Sequence, residues 1–262
     1  MSDILNKLTD SARKRVESGY YEINSERHEE GLSPSFTENI ERHKFDPVVG
    51  EIKPGSPTRG RISGEDFRPT DLAESYSAGG VVGFSVLTDS DHFFGSLANL
   101  ARVAKLDRPT LMKDFIVDYS QMDAGKRLGA DALLFIYRIF TRGIPSFDLD
   151  EGIDYAHQLG LEVLLEVNDL AEYESALKTD ADMIGINNRD LRSLEIDLST
   201  TKAILSTAGK DRLVWSMSGI SSRTDIAFLN GAGADAFLIG TSLTSSENPK
   251  SFLQKLCGID DG

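Results

Sequence analysis

From residue 47 onward the chain repeats one pattern of apolar and polar positions. Short β-branched runs fall at 48–52, 81–87, 109–113, 132–137, 162–167, 183–186, 213–217 and 236–239. Segments with helical spacing lie between most of them, among them 120–128, 152–159, 170–177, 199–207 and 224–229. Three of these segments stop at a glycine that leads into the next run: Gly129, Gly160 and the Gly231-Ala-Gly233 stretch. Glycine commonly ends a helix in the left-handed conformation, so the pattern reads strand, helix, stop, strand. Strands at roughly 20–35-residue spacing joined by helices make parallel βαβ units. Eight such units close a (β/α)8 TIM barrel, whose ligands bind at the C-terminal strand ends. The competing architecture, an open doubly wound sheet, is weakened because no Gly-x-Gly-x-x-Gly follows the first run.

Residues 1–46 follow a different rule. Ile4, Leu8 and Ala12 recur every fourth position with Val16 beyond, an apolar stripe behind a cap at Ser2 or Asp3. Ser35 is placed to cap a second short helix carrying Phe36 and Ile40. The expected organisation is an N-terminal helical extension, 1–46, on a barrel of residues 47–262, one domain overall. The extension is either a packed arm or a flap over the mouth.

The length of 262 residues suits one such barrel, typically about 250. Forty-two acids against 28 bases give a net charge of −14, which argues against broad contact with nucleic acid or an anionic membrane. A phosphorylated small molecule remains compatible, since a few amides and cations suffice to hold it. Cys257 is the only cysteine, so no intrachain disulfide forms. No long apolar run or basic-then-apolar leader is seen, and the expected location is cytoplasmic. His28, His43, His92 and His157 show no metal-ligand spacing and are expected at the surface, so no metal is called for. No Gly-x-Ser-x-Gly elbow supports a serine hydrolase.

Candidate chemistry gathers where the strands end. The first run closes on Glu51-x-Lys53, with a Pro/Gly/Ser turn behind it. Taken alone, this acid and base suit a structural ion pair as well as a reactive one. The third run delivers Lys113, suited to a Schiff base or to general acid catalysis. Period two places Glu162, Leu164 and Glu166 on one face of the fifth run, with Glu166 at its exit. Alternate strands of a barrel share a layer, so Glu51, Lys113 and Glu166 are expected at similar depth. The sixth run ends in Asn187 and Arg189. The last two end in Ser218-Gly219 and Gly240-Thr241, where free backbone N–H groups suit a phosphate. Trp215 reads as packing, and Asp114, Glu162 and Asp190 have no assigned role.

These motifs together resemble the indole-3-glycerol phosphate synthase family of tryptophan biosynthesis. The resemblance rests on Glu51-x-Lys53-x-x-Ser56-Pro57, Phe84-Ser-Val-Leu-Thr88 with Phe93-x-Gly95-Ser96, Leu111-Met-Lys-Asp-Phe115, Leu165-Glu-Val167, Gly185-Ile-Asn-x-Arg189, Ser218-Gly-Ile220 and Leu238-Ile-Gly240. It spans nearly the whole chain in family order. It implies a carboxy-lyase that closes the pyrrole ring of 1-(2-carboxyphenylamino)-1-deoxyribulose 5-phosphate with loss of carbon dioxide and water, without cofactor. The residues it implies as catalytic are Glu51, Lys53, Lys113, Glu166 and Asn187, with Lys113 as general acid, Lys53 on the anthranilate carboxylate, and Glu51 and Glu166 sharing the dehydration. Ser56, Phe93, Phe115, Arg189 and Ser218 would contact or brace the substrate. Gly219, Gly240 and Thr241 would bind its phosphate.

One departure bears on activity. The family usually places Glu before Ser-Gly on the seventh strand, and here that residue is Met217. Losing a polar contact costs about 1–3 kcal/mol if a partner is left unpaired, so weaker binding or slower turnover is expected. Thr58 and Thr241 stand where Ser is common and keep the hydroxyl. The alternatives are a catalytically impaired barrel that binds a phosphorylated ligand, and another phosphate-binding barrel enzyme such as phosphoribosylanthranilate isomerase.

Overall fold

The computed structural model describes residues 4–23, 35–57, 60–62, 67–106, 108–190 and 193–259. Ser2, Asp3, His28 and Thr58, singled out above, lie outside the described residues. Eight strands run parallel in chain order: β1 (Val48–Ile52), β2 (Gly83–Leu87), β3 (Thr110–Lys113), β4 (Ala132–Ile136), β5 (Glu162–Val167), β6 (Met183–Asn187), β7 (Leu213–Met217) and β8 (Ala236–Ile239). β8 pairs back onto β1, Val48 opposite Phe237, and the barrel closes. Helices Tyr119–Arg127, Leu149–Gln158, Leu170–Ala176, Ser199–Ala208 and Arg223–Gly231 fall within a few residues of the expected segments. Gly129, Gly160 and Gly233 follow three of them at φ of 88°, 67° and 105°, a backbone in which an L side chain is strained. Further helices at Pro69–Ala78, Leu97–Val103 and Pro249–Cys257 complete the outer layer.

Strand alternation divides the core in two. Outward side chains such as Ile52, Phe84, Met112, Phe135, Leu165 and Ile186 join the larger apolar cluster under the helices. Inward ones, including Val49, Leu111, Leu134, Leu164, Met183, Trp215 and Leu238, fill the barrel. The barrel is thus a packed core whose free space lies at one end.

Two N-terminal helices treat the two ends differently. Helix α2 (Phe36–Arg42) closes the N-terminal end of the barrel, its Phe36 ring 5.2 Å from that of Trp215. Ser35 caps it as expected, accepting from Glu38 N at 3.1 Å. Glu162, at the start of β5, accepts from Ser35 Oγ at 2.7 Å, Phe36 N at 2.7 Å and Thr37 Oγ1 at 2.6 Å. The carboxylate therefore serves the N-terminus of a helix, where free N–H groups and the helix dipole favour an anion.

Helix α1 (Ile4–Glu17) lies across the opposite end. Its buried residues are Leu5, Leu8, Thr9, Ala12 and Arg15, so the stripe is rotated from the expected 4-8-12-16 set. The difference has a physical cause. Arg15, only 5% exposed, pairs with Asp89 at 3.0 Å, Asp91 at 3.1 Å and Asp114 at 2.8 Å. Asp114 also accepts from Tyr21 Oη at 2.7 Å and Thr88 Oγ1 at 2.6 Å. A buried guanidinium needs this density of partners, and it draws its face of the helix inward.

The histidine expectation needs correcting. His157 is exposed at 37% and pairs with Asp182, but His43 and His92 are half-buried. His43 lies against Phe45 and His92 beside Asp89, where loop packing covers rings that a sequence pattern leaves open.

Candidate active site

Every site residue named from the sequence lines one cavity of about 470 Å³ at the C-terminal ends of the strands. The register explains the convergence of the charged groups. The row through Glu51 meets β3 at Leu111, and the row through Leu111 meets β5 at Glu162. Lys113 lies two residues beyond its row and Glu166 four beyond. That stagger is what strand tilt in a closed barrel requires for one layer.

Glu51 holds the centre. Lys113 Nζ donates to its Oε2 at 2.6 Å, and Lys53 Nζ stands 3.2 Å from its Oε1. Burial works to raise the Glu51 pKa, but the two ammonium groups overcome it and hold the carboxyl at about 2. Burial likewise opposes the charge on Lys113, yet Glu51 and Glu166 keep its pKa above the ordinary value. Gly240 belongs to this cluster as well as to the expected phosphate end, since a Cβ there would collide with the Glu51 carboxylate.

Glu166 has the opposite balance. Burial raises its pKa, and the pull of Lys113 and of the Asn187 hydrogen bond does not restore it. Asn187 Nδ2 donates to Glu166 at 2.8 Å, and its Oδ1 accepts from Arg189 N at 3.0 Å. Two carboxylates are thus driven apart within one pocket, the arrangement that separates acid and base roles.

Apolar surface flanks this centre. The rings of Phe93 and Phe115 lie 6.2 Å apart, and Lys53 Nζ stands 6.0 Å from the Phe93 centroid. Ile4, Leu5 and Leu8 of α1 add an apolar wall, and Ser56 lines the same cavity. Across the mouth, Ser218 and Gly219 adopt φ of 70° and 87°. Ser242 Oγ donates to Ile220 O at 2.9 Å and ties the β7 and β8 exits together. Arg189 Nη1 donates to Leu194 O at 3.1 Å, bracing the loop after β6.

A family model described as indole-3-glycerol phosphate synthase matches residues 4–256. The chain belongs to the indole-3-glycerol phosphate synthase family. A protein of that name from Caldanaerobacter subterraneus subsp. tengcongensis is 39% identical over 214 residues, covering 80% of this chain and 81% of its own. The protein of the same name from Desulfosudis oleivorans is 40% identical over 210 residues, covering 80% and 78%. Among solved structures, thiamine phosphate pyrophosphorylase from Pyrococcus furiosus matches with a TM-score of 0.59 at 14% identity, covering 82% of this chain and 95% of that one. At that identity the likeness speaks for the barrel alone.

Met217 is 1% exposed and packs in the barrel interior against Gly185. Both ends of the Asn187 amide are engaged without it. Sequence reasoning left the N-terminal extension as either an arm or a flap, and it passed over the Arg15 cluster and the role of Asn188. A charged residue three positions after Ala12 on an apolar stripe was the available signal for Arg15. Asn188 was visible only as part of the donor-rich exit of β6, with nothing local to separate it from Asn187.

Proposed function

We propose that the chain catalyses the reaction of its family: 1-(2-carboxyphenylamino)-1-deoxyribulose 5-phosphate gives indole-3-glycerol phosphate, carbon dioxide and water, with Lys113 as the general acid. The ring carbon bearing the carboxylate attacks the ketone, and the carbonyl electron pair moves to oxygen. Lys113 delivers a proton to that oxygen. The bond to the carboxylate then breaks, its electrons restore the aromatic ring, and carbon dioxide leaves. In the last stage Lys113, recharged from solvent, protonates the new hydroxyl, which departs as water, while the CH2 beside nitrogen loses a proton to Glu166 and the pyrrole double bond forms.

Glu166 is assigned as the base of that stage, because burial has raised its affinity for a proton. Glu51, held at about 2, stays an anion and keeps Lys113 charged. Lys53 meets the anthranilate carboxylate, and Phe93 and Phe115 flank the ring. Asn187 orients Glu166 and reaches the sugar hydroxyls. Ser56 adds a hydroxyl at the substrate, and Arg189 braces the loop after β6. The phosphate is assigned to the mouth between Ser218-Gly219 and Gly240-Thr241, where backbone N–H groups would hold it.

The observation that carries this reading is the 2.6 Å contact between Lys113 and Glu51, set between an aromatic pair and a turn with two successive positive φ angles. Among the described residues no helix is long and apolar enough to cross a membrane. The test is to mix purified protein with the carboxyphenylamino substrate and follow indole fluorescence and released carbon dioxide together. One carbon dioxide per indole is expected. Folded protein that forms no indole would leave the ligand-binding barrel as the better account.

A further inference from the structure

β6 leaves the barrel through two asparagines in succession, and alternation sends them to different tasks. Asn187 turns to the axis and Glu166. Asn188 turns away and is only 2% exposed. Its Nδ2 donates to Ser216 Oγ at 2.9 Å, Met217 O at 3.0 Å and Ser218 O at 3.2 Å. Its Oδ1 accepts from Thr201 Oγ1 at 2.8 Å and Thr201 N at 3.3 Å. Thr201 Oγ1 and Ser216 Oγ are themselves 2.9 Å apart. The amide is fully used, and its three acceptors are consecutive residues at the exit of β7, where the strand passes into the turn.

That turn is strained. Ser218 is a non-glycine residue at φ 70°, followed by Gly219 at 87°. Such a backbone persists only where its surroundings over-determine it. A trans peptide also couples its two ends: a carbonyl drawn toward Asn188 sends the N–H of the same plane the other way. Met217 O also accepts from the backbone N–H of Asn188 at 2.9 Å, while Ser218 O is held by Nδ2. The N–H groups of Ser218 and Gly219 therefore face away from Asn188, and the side chain bears chiefly on Gly219 N–H. Both residues line the cavity.

We propose that Asn188 is a positioning residue that holds the Ser218-Gly219 turn with its N–H groups aimed at the substrate phosphate. This rests on the reading that the turn binds that phosphate. Asn188→Ala should raise both the inhibition constant of inorganic phosphate and KM by about tenfold, with a much smaller change in kcat. In a Ser218→Gly background, with Ser218→Gly alone as the reference for loss of the hydroxyl, Asn188→Ala should cost much less, because glycine takes the left-handed conformation without strain. If Asn188→Ala does not fold, Thr201→Val removes the hydroxyl that orients the amide, and it should give a smaller rise that shrinks in the Ser218→Gly background. Gly219→Ala, which would place a Cβ against Ile196 at a positive φ, serves as the control on the turn itself. An unchanged inhibition constant in Asn188→Ala, with a raised one in Gly219→Ala, would overturn the role of Asn188 alone. The same holds if Asn188→Ala costs as much in the Ser218→Gly background as in the native one. No change in either variant would overturn the phosphate reading beneath it.

Discussion

Glu51 and Glu166 are one side chain in two environments, and the difference predicts separate pH behaviour. The folded chain binds a proton at Glu51 less tightly than the unfolded chain does. The stability Glu51 contributes is therefore complete above 4.5 and is lost as pH falls from there to about 2. Glu166 has the reverse sign: its folded pKa lies above 4.5, so ionising it costs stability as pH rises through that value and beyond. Glu166→Gln should lower kcat by about 10²–10⁴. The melting temperature at pH 7 should hold or rise, since a buried charge is removed. Thermal melts and rates on the same preparation check both, and a lowered melting temperature with normal rates would contradict the assignment. Glu51, Lys113, Glu166 and Asn187 were legible in the sequence because strand alternation and strand ends are local signals. Asn188 was not, because its partners Ser216 and Thr201 arrive from other elements and nothing within β6 marks them.

At the scale of elements, α1 and α2 are held by charge as much as by apolar burial. Arg15 fixes α1 to the ends of β2 and β3 through Asp89, Asp91 and Asp114. Arg15→Met would strand buried carboxylates and should cost about 3–5 kcal/mol in urea unfolding. It should also raise KM, because α1 supplies Ile4, Leu5 and Leu8 to the cavity. An unchanged unfolding midpoint would show that the cluster is only a surface association. The four-residue period of α1 announced a helix, yet it pointed to the wrong edge, because propensity and spacing carry no record of three acids that lie 74 or more positions away. Glu162 was visible as an inward residue at the start of β5, but its partner at Ser35 is 127 residues distant. Such pairings exist only once the barrel closes.

Across the whole molecule, the two ends of the barrel divide the labour. The N-terminal end, plugged by Phe36 on Trp215, concerns stability. The C-terminal end carries the charged cluster and the cavity. Phe36→Ala should cost about 3–5 kcal/mol of stability while leaving kcat/KM near the native value at a temperature where both proteins are folded. A large loss of kcat/KM in that variant would mean that the ends are coupled. The strands, their parallel order and closure after eight were all readable from spacing and stop signals, since every βαβ unit repeats the same local grammar.

The claim on which the rest depends is that Lys113, kept charged by Glu51, donates the proton during ring closure. The most direct measurement is single-turnover indole fluorescence of wild type and Lys113→Ala, with binding of a non-reactive phosphate-bearing substrate analogue titrated beside it. Lys113→Ala should bind the analogue within a few-fold of wild type and form indole at least about 10²-fold more slowly. Indole formation at a near-native rate, or a folded variant that no longer binds the analogue, would contradict that claim.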